Sequence, residues 1–126
     1  MTYLATSINE SPVIAEKAGA AIADVRGKAV KFADGAVVLA GAGEAAIGIG
    51  IMTNDENLKV GDDLTIQVKD MGVVCTGGAV AKGDELAVGA NGALIKATSG
   101  YVVAIALEAA AEAGAFIKAQ LVKYKI

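Results

Sequence analysis

The sequence predicts a mainly β protein: a small antiparallel β-barrel or sandwich built from two similar β halves, preceded by an extended N-terminal arm. Three observations carry this expectation. Short runs rich in Val and Ile are separated by glycines rather than by helix-length connections. Asp34-Gly35 and Asn91-Gly92 have the composition of two-residue hairpin turns, whose residues must accept positive φ. The order of turn, strand and glycine then occurs twice along the chain.

Taken in order, strands are expected over 28–32 and 36–40, flanking Asp34-Gly35, and over 46–52. The last of these holds Ile47-Gly48-Ile49-Gly50-Ile51, where glycine in a strand signals the close approach of another backbone at Gly48 and Gly50. Residues 63–69 follow with the period-two run Leu64-Thr65-Ile66-Gln67-Val68, then 72–76. In the second half, strands are expected over 85–88, 93–97, 101–107 and 115–124. Two stretches, 13–25 and 107–115, have good helix propensity, but both are short and tertiary context overrides propensity at that length. The second is read as a connection holding one helical turn.

The repeat spans 21–68 and 79–122. It sets Ala36-Val37-Val38-Leu39-Ala40 beside Ala93-Leu94-Ile95-Lys96-Ala97 and 47–51 beside 103–107. Val60-Gly61-Asp62-Asp63-Leu64 then falls beside Ala113-Gly114-Ala115-Phe116-Ile117. One β domain over 19–126 is the expected unit, and 126 residues suffice for a single core. That core is built from small residues: 27 are Ala and 16 Gly, with 2 Phe and no Trp. Each buried Ala contributes little apolar area at roughly 25 cal/mol per Å², so part of the apolar surface is expected to meet another chain.

Composition also excludes chemistry. With no His, neither a Ser-His-Asp nor a Cys-His arrangement can form, and no enzyme activity is expected. The net charge of −3, without a Lys/Arg cluster, argues against nucleic-acid binding. No apolar run approaches a membrane span, and the start Met1-Thr2-Tyr3-Leu4 lacks the pattern of a secretory signal. Cys75 lies in an apolar run and is read as a small core residue. Gly41-Ala42-Gly43-Glu44-Ala45-Ala46 matches a dinucleotide-binding G-x-G-x-x-A pattern, but such a site needs a helix to start there and the Ile/Gly alternation that follows is a poor helix. Asn54-Asp55-Glu56-Asn57 and Asp62-Asp63 lack the ligand spacing of a calcium loop and are read as solvated. Lys69-Asp70 sits where a carrier lysine would, in surroundings that do not fit one. No cofactor and no metal are expected.

Residues 1–18 stand outside the repeat. Tyr3, Leu4, Ile8, Pro12, Val13 and Ile14 are the candidate interface residues, as an extended arm can add to a neighbour's sheet. The alternative is a strand on the chain's own domain.

Three segments resemble the capsid cement (head decoration) proteins of tailed bacteriophages: Gly78-Ala79-Val80-Ala81-Lys82-Gly83-Asp84, Gly92-Ala93-Leu94-Ile95-Lys96-Ala97, and Tyr101 through Ala110. The first half departs from the pattern at Arg26-Gly27-Lys28 and in the polar insert 53–57. The resemblance implies a compact β domain on the outer face of a phage head, with the major capsid protein as partner and a homotrimer as the assembled form. It implies no catalytic residues, no nucleic acid and no membrane. A β binding module of a phage fibre or a bacterial surface protein is the alternative.

Overall fold

A computed structural model describes residues 11–126. They form twelve strands and no α-helix. The N-terminal half contributes β1 (Val13–Lys17), β2 (Ile22–Asp24), β3 (Ala29–Ala33), β4 (Ala36–Leu39), β5 (Gly48–Gly50), β6 (Glu56–Leu58) and β7 (Asp63–Gln67). The C-terminal half contributes β8 (Met71–Cys75), β9 (Glu85–Val88), β10 (Leu94–Lys96), β11 (Tyr101–Ala106) and β12 (Phe116–Lys125).

The strands build two five-stranded antiparallel sheets. The first has the order β1-β7-β5-β3-β4, and the second, read from its other edge, has β8-β12-β11-β9-β10. The outer strands of each sheet approach at one parallel bridge. Gly19 N–H donates to Val37 C=O at 2.8 Å in the first, and Gly77 N–H donates to Leu94 C=O at 2.7 Å in the second. One bridge does not close a ladder, so the barrel-or-sandwich expectation resolves to two sheets, as in a sandwich, with no closed barrel.

Local chemistry explains the turns. Asp34 and Gly35 have φ of 50° and 81°, and Asn91 and Gly92 have 56° and 78°. Both pairs are therefore left-handed throughout, as a type I′ turn requires. Gly48 and Gly50 also match their expected role. A Cβ at Gly48 would stand 2.2 Å from the Gln67 carbonyl oxygen, and one at Gly50 would stand 2.2 Å from that of Val25.

Each half has its own core. Val25, Val30, Val37, Leu58, Leu64 and Ile66 form the first. The second gathers Val74, Leu86, Val88, Leu94, Ala104 and Ile117, and takes in Ala29, Ala40 and Ile49 from the N-terminal half. The outward face of the first sheet is thus part of the second half's interior.

Three segments differ from the sequence expectation. Residues 13–17 and 22–24 are strands despite their helix propensity, because Ile14 opposes the fully buried Ile66 and Ile22 pairs with Leu58. The polar insert becomes β6, which Arg26 ties to β2 through ion pairs to Asp24 and Glu56. Residues 107–115 contain no helical turn. Their backbone bonds outward instead, with reciprocal 3.0 Å hydrogen bonds between Val80 and Ala110.

Candidate functional site

Of the six candidate interface residues, Tyr3, Leu4 and Ile8 lie outside the described residues. Pro12 is exposed, and its carbonyl accepts the Val68 N–H at 2.7 Å. Val13 and Ile14 are half-buried in β1, opposite Gln67 and Ile66. They stand on the chain's own sheet rather than on a separate arm, since the apolar Ile14 has a core to join. Residues 11–18 therefore belong to the β domain.

The exposed apolar side chains lie elsewhere. Met71 and Val73 alternate along β8 on one face, 66% and 36% exposed, and Phe116 on β12 is 45% exposed opposite Cys75. The sequence held a signal for Phe116. In Phe116-Ile117-Lys118-Ala119-Gln120 the polar residues share its phase, which puts the ring on the wet side. Met71-Gly72-Val73-Val74-Cys75 has no such polar marker, so its exposed phase is not readable from the strand alone.

A second feature is an open depression of about 220 Å³, lined by Ala45, Ala46, Tyr101, Val102, Tyr124 and Lys125 among others. Lys125 Nζ lies 5.2 Å from the centre of the Tyr101 ring, a cation–π distance. Tyr124 donates its hydroxyl to the Glu85 carboxylate, which pushes the phenol's pKa up. Lys123 donates to Val68 C=O at 2.7 Å, and partial burial lowers its pKa. The depression is smaller than the roughly 300–1,000 Å³ of drug-sized ligand sites. It fits a single side chain better than a cofactor.

The residues weighed for chemistry are occupied by structure. Glu44 of the glycine-rich motif accepts from Gly41 N–H and pairs with Lys31 at 2.8 Å, while Gly43 donates to Val88 C=O across the two halves. The motif is a loop joining β4 to β5 with no helix after it. Asn54 bonds the Ile51 carbonyl and both backbone groups of Thr65, Asp62 accepts from Lys59 N–H, and Asp63 pairs with Lys17. These acidic residues do not converge, and among the described residues no three His, Cys, Asp or Glu gather as a metal site. The Cys75 thiol is buried, and burial raises its pKa away from the reactive thiolate.

No family model matches the sequence, and no curated protein matches it. The fold has a counterpart among solved structures, "The crystal structure of head fiber gp8.5 N base in bacteriophage phi29". It superposes with a TM-score of 0.67 at 18% identity, covering 90% of this chain and 96% of that one. At that identity the likeness is one of fold.

Proposed function

We propose that this chain is a structural protein of a bacteriophage head. The observation that carries the reading is the match of nearly the whole fold, end to end, to the N base of a phage head fiber. The sequence resemblance to capsid cement proteins points independently to the same structure of the virion.

Within that reading, the protein is a cement or decoration protein. It binds the outer face of the mature head and stabilises contacts between major capsid subunits, acting as a homotrimer after assembly in the host cytoplasm. It turns over no substrate. Many small contacts, each bridging subunits, suffice for attachment because avidity multiplies them. Residues 1–10, with Tyr3, Leu4 and Ile8, supply the reach toward the shell, and Met71, Val73 and Phe116 supply exposed apolar surface on the domain. The likeness to a fiber base favours a second reading, in which the domain seats a longer appendage on the head.

Addition of purified protein to expanded, undecorated heads tests the proposal. Saturable, symmetric density outside the shell is expected, with a raised melting temperature for the heads. Deleting residues 1–10 is expected to lower occupancy while leaving the domain folded. Absence of binding at saturating protein removes the cement role.

A further inference from the structure

The depression beside Tyr101 and Tyr124 continues along β12. Ala46, Val103 and Lys123 line both it and a smaller hollow that ends at Ile49 and Leu121. Together they form a groove between the two halves. Apart from Lys123 and Lys125, the lining of the larger part is alanine, valine and tyrosine. The sheet leaves room there because β8 pairs with β12 only over Phe116–Gln120. From Leu121 onward, β11 is the one ladder neighbour of β12 among the described residues.

Two hydrogen bonds bring the start of the described chain to this groove. Val68 N–H donates to Pro12 C=O, and Val68 C=O accepts from Lys123 Nζ, both at 2.7 Å. Residues 1–10 therefore meet the domain beside a side chain that lines the groove.

We infer that residues 1–10 lie along this groove of their own chain, with the Ile8 side chain seated in the depression beside Tyr101 and Tyr124. The reach is sufficient. From Pro12 back to Ile8 is four residues, up to about 13 Å of extended chain, while Lys123 to Lys125 on β12 spans only about 7 Å. The chemistry agrees. Ile8 and the alanine and valine lining leave water together. On the same path Glu10, the one carboxylate of residues 1–10, falls near Lys123, whose ammonium spends one of its three donors on Val68. A tether of four residues gives the segment a high effective concentration at its own groove, so it outcompetes the same segment of a second copy. Tyr3 and Leu4 extend beyond the groove. The docking concerns the free chain and holds whether or not the chain binds a head.

NMR of the protein tests this. Nuclear Overhauser contacts are expected from the Ile8 methyls to the Tyr101 and Tyr124 rings and to Ala46, with the same strength across a dilution series. Ala45→Trp, at an exposed position on the rim, should fill the depression and abolish these contacts with an unchanged melting temperature. A protease specific for acidic residues gives a second readout. It should cut after Glu10 about tenfold or more faster in Ile8→Ser than in wild type, because the buried anchor beside that bond is lost. If Ala45→Trp fails to fold, Ile8→Ser, which alters no residue of the described fold, decides through the cleavage rate. Contacts seen only between labelled and unlabelled copies would put the segment in a neighbour's groove and overturn the inference. Contacts that survive Ala45→Trp, Ile8 methyls that touch no groove residue, or equal cleavage of wild type and Ile8→Ser would overturn it as well.

Discussion

The two halves share one strand order and differ in what their outward faces meet. Across the first sheet, Ala29, Ile49 and Gln67 are register partners, and Ala29 and Ile49 are buried against the second half. Across the second sheet, the corresponding row is Glu85, Ile105 and Gln120, with Glu85 and Gln120 in water. The same ladder therefore yields a docking face in one half and a solvated face in the other, and a few side chains make the difference.

The opposite end shows the reverse exchange. On the second sheet Cys75 opposes Phe116 and both touch Gly27 of the first half. In the same corner of the first sheet Lys17 opposes Asp63, an exposed ion pair at 2.6 Å. Gly92 is pressed against the Ala29 carbonyl, whereas nothing lies within 4 Å of where a Cβ at Gly35 would stand. Charges thus close both ends, much as capping units end a repeat array.

The comparison breaks most visibly at the strand glycines. Gly48 and Gly50 correspond to Ala104 and Ala106, two residues on either side of Ile49 and Ile105 that share register partners. A methyl group at Gly50 would meet the Val25 carbonyl at 2.2 Å, and backbone cannot move aside as a side chain can. Gly50→Ala is expected to cost about 3 kcal/mol or more. Ala106→Gly is expected to cost only about 1–2 kcal/mol, from backbone entropy and one buried methyl. Urea unfolding of the two variants measures both. Similar costs would mean that the halves are equally tight.

The junction between halves is sharpened by a second pair. Gly27 and Gly83 both have positive φ, at 72° and 92°, and both donate to the corresponding strand, Gly50 C=O or Ala106 C=O. Replacing Gly83 by Ala meets nothing within 4 Å and should cost the left-handed penalty alone, about 1–2 kcal/mol. A Cβ at Gly27 would stand 2.7 Å from the Cys75 nitrogen. Gly27→Ala should cost about 2 kcal/mol more than Gly83→Ala, and thermal melts of both variants give the difference. An equal fall would show that the junction yields freely.

Much of this was legible in the sequence because it is local. Asp34-Gly35 and Asn91-Gly92 specify their turns by backbone chemistry, and Gly48 and Gly50 announce a close approach wherever the approaching chain comes from. What was not legible depends on partners far along the chain. β6 pairs with β2 because the buried Leu58 meets Ile22 and Arg26, thirty residues away, bridges to Glu56, and a polar insert carries no mark of either partner. β1 stayed open between an arm and a strand of this domain for the same reason: Ala15, Glu16 and Lys17 suit a helix, and only Ile66 across the sheet makes Ile14 a strand residue. The domain's exposed apolar surface was missed at Met71 and Val73 because alternation says which residues share a face, not which face is covered.

The smallest expected effect separates the halves by acid. Asp24 and Glu56 oppose each other in β2 and β6, and Arg26 bridges them, with Nε and Nη2 each 2.9 Å from the Asp24 carboxylate. The corresponding position in the second half is the Val80–Ala110 bridge, which has no charge to lose. The side-chain hydrogen bond from Arg26 is the leading cause holding the Asp24 carboxyl below its usual range. A carboxyl with a depressed folded pKa adds stability above its unfolded value, near 3.9, and loses it as pH falls through the folded value. The β2–β6 ribbon should therefore loosen only below about pH 4, and by a small amount, since the pair is partly exposed and screened by solvent. Amide exchange, corrected for its intrinsic pH dependence, should lose protection at Ile22, Asp24 and Leu58 in that range while Val80 and Ala110 hold theirs. Arg26→Gln should shrink the contrast, because it removes the leading cause of the shift and leaves Asp24 only the backbone N–H of residue 26 and the charge of Lys28. Parallel loss in both halves would assign the acid sensitivity to the fold as a whole.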